Sequence, residues 1–137
     1  MTGAALTDEE RAAEAWTSFN LRGGPSVASQ ARAITAPLRA RLGDDLSADL
    51  ALLLSELVTN SYRHSGAADD GIGVDIELTA DRVRAEIRDN GEGFKAEPVA
   101  AEKRGAGGWG LVILDRLSER WGVRNGPPSC VWFELAR

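Results

Sequence analysis

The 137-residue chain contains little that would serve disulfide, membrane or nucleic-acid chemistry. Its single cysteine, Cys130, excludes an internal disulfide and a cysteine metal cluster, and it suits a reducing compartment. No apolar run approaches the length of a membrane span, and the first residues lack a signal-peptide pattern. Basic residues number 16 against 21 acidic ones, so the net charge is −5 and a nucleic-acid partner is disfavoured. We therefore expect a cytoplasmic protein that binds neither membranes nor nucleic acid.

The remaining composition, 43% hydrophobic and 27% charged, is that of one ordinary globular domain. Residues 1–15 are rich in alanine and acids and have little to bury. They predict an N-terminal tail, with a short helix as the alternative, because Thr7 and Glu10 match a capping box. Residues 16–137 are predicted to form the domain.

The first half of the domain shows one strand pattern followed by helical patterns. Alternation over residues 17–21 predicts a strand. A helical pattern follows over residues 25–42, and Pro37 inside it should kink or divide the helix because proline lacks a backbone donor. The longest apolar stripe at helical spacing, over about residues 44–64, predicts a central helix.

The second half predicts mainly strands. Apolar and charged residues alternate over 74–78 and 83–87, which indicates a hairpin whose charged face is most simply solvated. Residues 111–117 show a helical pattern, and residues 121–124 and 130–135 read as two further strands. This order predicts an α+β two-layer sandwich, with the helices on one face of a mainly antiparallel mixed sheet.

Polar side chains stand on one flank of the central helix. Glu56, Asn60 and Arg63 are spaced so that they stack about one turn apart beside the apolar stripe. Taken alone, such a row is most simply a solvated helix edge. His64, at the end of this helix, is best interpreted as a structural residue stabilised by the helix dipole rather than as a phosphoacceptor.

Two glycine-rich segments follow. In Asp89-Asn90-Gly91-Glu92-Gly93, a carboxylate at a strand end can accept a hydrogen bond from an amine, and the glycines let a planar ligand approach the backbone. A tight turn with acids in water is the alternative. Gly105-Ala106-Gly107-Gly108-Trp109-Gly110 opens a helix, where free N–H groups and the dipole favour an anion, although a lone glycine run is more often a flexible loop.

Taken together, the three segments resemble the ATP-binding domain of the gyrase, chaperone and histidine kinase superfamily (GHKL, or Bergerat, fold). The motifs are Glu56-x-x-x-Asn60, Asp89-x-Gly91-x-Gly93 and Gly105-x-Gly107-Gly108-x-Gly110-Leu111, in this order. Within the superfamily, the Glu56–Asn60 segment and the ending Val131–Leu135 look most like stand-alone bacterial anti-sigma-factor serine/threonine kinases.

The resemblance implies bound ATP and Mg²⁺ and gives individual residues a role. Glu56 is implied as the general base, Asn60 as the Mg²⁺ ligand and Asp89 as the acceptor of the adenine amine. The other implied nucleotide-binding residues are Gly91, Gly93, Phe94, Lys103, Arg104, Gly105, Gly107, Gly108, Trp109, Gly110, Leu111 and Cys130.

Three features depart from the family pattern, and one of them is Pro37 in the first helix. Trp109 stands where many relatives have arginine. Ser129-Cys130 occupies the region in which the family often has a threonine that supports the adenine carboxylate.

Two functions follow from the resemblance. The first is a homodimeric kinase that phosphorylates an anti-sigma antagonist and sequesters a sigma factor. The alternative is a regulatory module that binds ATP and acts by protein association without phosphotransfer.

Overall fold

A five-stranded antiparallel sheet is the centre of the fold, in a computed structural model that describes residues 13–22, 24–65, 71–90, 110–126 and 128–137. The strands are β1 Ala13–Leu21, β2 Ile72–Thr79, β3 Arg82–Asp89, β4 Arg120–Arg124 and β5 Ser129–Ala136. The helices are α1 Val27–Thr35, α2 Arg39–Leu42, α3 Asp44–Ser65 and α4 Gly110–Leu117, with a 3-10 turn at Ala36–Leu38.

The strand order is β1-β2-β3-β5-β4, and every pair of described neighbours is antiparallel. Alternating residues of β2, β3 and β5 are buried beneath the helices, which confirms the predicted two-layer sandwich. β1 begins at Ala13, earlier than the alternation over residues 17–21 indicated. Residues 1–12 lie outside the described ranges.

The helical segment before α3 is divided at Pro37, as predicted. α1 ends at Thr35, a 3-10 turn carries the proline, and α2 continues to Leu42. Gly43 ends α2 with a φ of 84°, a left-handed conformation that glycine adopts without a steric penalty.

The apolar stripe of α3 faces the sheet. Its fully buried residues are Leu50, Leu53, Leu54, Leu57 and Val58. They belong to the same core as residues from β2, β3 and β5, in which Phe133 is among the largest fully buried side chains. Among the described helices, none combines the length and apolar character that crossing a membrane requires.

The other face of the sheet carries charged side chains, and the prediction that this face is solvated is wrong for its acids. Asp75, Glu77 and Glu134 are buried. Arginines of β3 bond to two of these acids: Arg84 Nη1 donates to Glu134 Oε2 at 3.0 Å, and Arg88 donates to both oxygens of Asp75. Long arginine side chains lie across the short carboxylates and exclude water from them.

Opposing effects set the pKa of the Asp75 carboxyl group. Burial raises the pKa of Asp75, but hydrogen bonds from Arg88 and Ser18 and the charge of Arg88 outweigh burial and hold this pKa below its ordinary value. The pKa of Arg88 is raised in return by the same hydrogen bond. The ionised pair therefore stabilises the folded state.

Truncating one leucine of α3 tests the core. Leu54 is fully buried, whereas Leu52 on the same helix is 43% exposed. We expect Leu54→Ala to lower the free energy of unfolding by about 3 kcal/mol, because it removes apolar contacts and leaves a cavity. The matched control, Leu52→Ala, should change it by less than about 0.5 kcal/mol. Urea denaturation measures both, and equal effects would contradict this description of the helix.

The low pKa of Asp75 predicts a pH dependence. Its stabilisation is present above the unfolded-state pKa, about 3.9, and is lost as the pH falls through the lower folded-state value. Wild type should therefore have a higher urea midpoint than Asp75→Asn at pH 7, and the difference should vanish in strong acid. The control is Asp115→Asn on α4, an exposed position. A wild-type advantage that persists unchanged below pH 3 would be inconsistent with the ionised pair.

Candidate active site

The polar flank of α3 is oriented by the apolar stripe beside it. Leu57 and Val58 are buried against the core, so the rotation of the helix about its axis is fixed. The side chain of Glu56 is then half-buried, Asn60 one turn later is buried, and Arg63 is exposed. Glu56 and Asn60 therefore share one edge of the helix layer, whereas Arg63 points to solvent.

Asn60 is the polar group on this flank whose hydrogen-bonding capacity the described residues leave unsatisfied. The residue is only 7% exposed, and within the described ranges its Oδ1 is buried without a hydrogen-bond partner. Leaving such an acceptor unpaired costs about 1–3 kcal/mol. A buried carboxamide oxygen is a suitable ligand for a hard cation such as Mg²⁺, which binds oxygen atoms.

The described residues contain no cluster of three or more histidine, cysteine, aspartate or glutamate side chains that would hold a metal ion. A protein site with one oxygen ligand fits Mg²⁺ in the form that also binds substrate phosphates, since this ion usually takes few ligands from the protein. Asn60 therefore fits the Mg²⁺ of an Mg-nucleotide rather than a metal held by the protein alone.

Asp89 is the last residue of β3, and the structure brings Ser129 to it. The two residues are register partners in the β3–β5 pair, so their side chains lie on the same face, with Cβ atoms about 4.5–5.5 Å apart. Asp89 follows the buried positions Ala85 and Ile87 in alternation, which places it on the helix-facing side. Ser129 is buried, and its Oγ accepts a hydrogen bond from the Gly126 N–H at 3.1 Å.

Of the Ser129-Cys130 pair singled out in the sequence, the structure thus places Ser129 beside Asp89, whereas Cys130 was the residue assigned to the nucleotide site. Cys130 alternates with the core residue Val131, so it lies on the charged face, opposite Arg88 and Arg124. The structure does not bring Cys130 together with Asp89. Burial, and then the charge of Glu86, raise the pKa of the Cys130 thiol. The missing signal was the strand register, which pairs Asp89 with position 129 and not with position 130.

Several predicted site residues lie outside the described ranges. They are Gly91, Gly93, Phe94, Lys103, Arg104, Gly105, Gly107, Gly108 and Trp109. The backbone of Gly110 begins α4, as predicted, and Leu111 follows in its first turn. α4 packs against α3 and β4, so the glycine motif leads directly into the helix beside the one that carries Glu56 and Asn60.

Known proteins resemble this chain over most of its length. A family profile described as histidine kinase-like ATPase domain matches residues 24–134. Serine-protein kinase RsbW of Listeria innocua serovar 6a is 27% identical over 117 residues, which cover 74% of each protein. A chain of the SiaB–SiaC complex from Pseudomonas aeruginosa shares the fold, with a TM-score of 0.57 and 14% identity over 94% of this chain and 93% of that one.

The family profile spans the segment that contains Glu56, Asn60, Asp89 and Ser129. The similarity to RsbW and the shared fold agree with the motifs and with the five-stranded sheet below one layer of helices. These findings confirm the resemblance on which the site residues were predicted, and the chain belongs to the histidine kinase-like ATPase domain family.

Proposed function

We propose that this chain is an Mg-ATP-dependent serine/threonine protein kinase of the anti-sigma-factor type, with residues 16–137 as its ATP-binding domain. The observation that carries the proposal is the pair on α3. A half-buried carboxylate at Glu56 lies one turn before the buried Oδ1 of Asn60, which has no hydrogen-bond partner among the described residues. Membership in an ATPase family and similarity to a serine-protein kinase support the same chemistry.

The two α3 residues have separate roles in this proposal. Asn60 would hold the Mg²⁺ that accompanies ATP, and this metal would supply positive charge that offsets the charge of the phosphates. Glu56 takes the proton from the serine or threonine hydroxyl of the protein substrate. The hydroxyl oxygen then bonds to the γ-phosphorus, the bond from that phosphorus to the bridging oxygen breaks, and ADP leaves.

The end of β3 binds the base. The Asp89 carboxylate accepts a hydrogen bond from the exocyclic amine of adenine. The Ser129 hydroxyl, which accepts from the Gly126 N–H, supports this carboxylate from the neighbouring strand. Lys103 or Arg104 contacts the γ-phosphate in this proposal, and both lie outside the described residues.

The proposed protein substrate is an anti-sigma antagonist, and the proposed second partner is a sigma factor that the kinase sequesters. A homodimer in the cytoplasm is part of the same proposal. These partners follow from the resemblance of Glu56–Asn60 and Val131–Leu135 to anti-sigma-factor kinases.

Glu56→Gln tests phosphotransfer. The amide cannot accept a proton as the carboxylate does, so transfer should fall by about 10²–10⁴-fold. The affinity for Mg-ATP should stay within about twofold of wild type, because Asn60 and Asp89 are unchanged. Transfer is followed with γ-labelled ATP in lysate of the native organism, with phosphoserine and phosphothreonine located by mass spectrometry, and affinity is measured by calorimetry.

The matched control is Asp49→Asn, an acid on the same helix that has no role in the proposed chemistry. It should transfer phosphate at the wild-type rate. Binding of Mg-ATP without any transfer by wild type would reject the kinase and support the module that acts by association alone.

Asn60→Leu tests the metal ligand. Leucine has a similar size and no unpaired acceptor, so the free protein should gain about 1 kcal/mol in free energy of unfolding. The same substitution should abolish the increase in Tm that Mg-ATP gives wild type, because ligands stabilise only the state that binds them. Denaturation with and without Mg-ATP measures both effects.

Glu56→Gln serves as the control for this measurement, since it should retain the Mg-ATP-dependent increase in Tm. Loss of stability in the free Asn60→Leu protein, or an undiminished response to Mg-ATP, would argue against Asn60 as the ligand.

A further inference from the structure

The end of β3 that carries Asp89 receives uneven support from its two neighbouring strands. The β2–β3 register ends at the pair Gly73 and Arg88, one residue before Asp89. The β3–β5 register continues to the pair Asp89 and Ser129. Asp89 therefore lies one residue beyond the last described backbone pairing with β2.

Arg88, the residue before Asp89, joins β3 to β2 through its side chain. Because successive strand residues point to opposite faces, Arg88 projects onto the charged face of the sheet when Asp89 faces the helices. Its Nη1 donates to Asp75 Oδ2, and its Nη2 lies 3.4 Å from Asp75 Oδ1. Asp75 also accepts from Ser18 of β1, its register partner, so the contacts join β1, β2 and β3.

Gly73 makes room for this arrangement. A Cβ at this position would lie 2.9 Å from Arg88 Nη2 and 3.4 Å from the central guanidinium carbon. The guanidinium thus lies across the backbone of β2. Glycine inside a strand weakens it and often marks a place where another group approaches closely. Here the approaching group is the side chain of Arg88, the residue before Asp89.

The same pair makes a measurable but small contribution to overall stability. The Arg88 side chain is 38% exposed, and ion pairs open to solvent stabilise proteins only weakly. Its geometric effect is larger, since binding and catalysis depend on placing groups to within about 1 Å. A clamp at the strand end is therefore better suited to fix the position of Asp89 than to hold the fold together.

We propose that Arg88, clamped by Asp75 across Gly73, is a positioning residue that fixes the Asp89 carboxylate for hydrogen bonding to the exocyclic amine of adenine. This inference rests on the proposed function, because it requires that Asp89 binds the base. Arg88 itself does not touch the nucleotide and acts through the backbone of β3.

The test compares two nucleotides that differ only in the group that Asp89 recognises. Calorimetry gives the Kd for ATP and for purine riboside 5′-triphosphate, which lacks the exocyclic amine. Wild type should prefer ATP by at least about tenfold, the typical effect of one hydrogen bond to a charged group. Asp75→Asn and Arg88→Gln should each reduce this preference to about threefold or less, with Tm values only slightly below that of wild type.

The matched control is Arg84→Gln, which removes an arginine from the same strand and face but farther from Asp89. It should keep the wild-type preference. A purely structural role would lower the affinities for both nucleotides alike and leave their ratio unchanged. The ratio is also independent of the fraction of protein that is folded, so a partly destabilised variant still gives an answer.

Each outcome has one meaning. If Asp75→Asn and Arg88→Gln keep the full preference, or if Arg84→Gln loses it equally, the clamp does not position Asp89. If wild type binds ATP without preferring it, or Asp89→Asn retains the preference, the assignment of Asp89 in the proposed function fails instead.

Discussion

The packing of α3 on the sheet is the contact on which the rest of the structure depends. Leu50, Leu53, Leu54 and Leu57 are buried in the same core as Phe133 of β5. Burying this much apolar surface is the main favourable term in folding. It also fixes the rotation of α3, so the side chains one position away from the stripe are held at the edge of the helix layer. The position of the polar flank is thus a consequence of core packing.

The charged face of the same sheet is not covered by helices. Helices cover only one face of the sheet. The strand residues on the other face must therefore be compatible with water and must not promote aggregation. The chain covers its buried acids with its own arginines, and Arg84 stacks on Trp132 with 4.4 Å between the guanidinium carbon and the ring centroid. Gly122 permits this, because a Cβ there would lie 2.6 Å from the indole nitrogen of Trp132. Gly73 and Gly122 thus have the same role: each leaves room for a planar group, the guanidinium of Arg88 in one case and the indole of Trp132 in the other.

Features set by local pattern could be predicted from the sequence. The strands, the long apolar stripe of α3 and the division at Pro37 each depend on residues close together in the chain. The burial of Asp75 and the pairing of Ser129 with Asp89 could not be predicted, since both depend on register between strands distant in sequence. The register also separates Ser129 from Cys130, because successive strand residues point to opposite faces.

Asn60 shows where stability and function conflict. Its buried, unpartnered oxygen lowers the stability of the free protein, and no neighbouring residue among those described relieves that cost. A chain under selection for stability alone would place an apolar residue there, next to Leu57 and Val58. Glu56 has no such penalty, since it is only half-buried. Of the two residues, Asn60 is therefore the stronger evidence for a ligand, because its present environment is unfavourable until another atom supplies the missing contact.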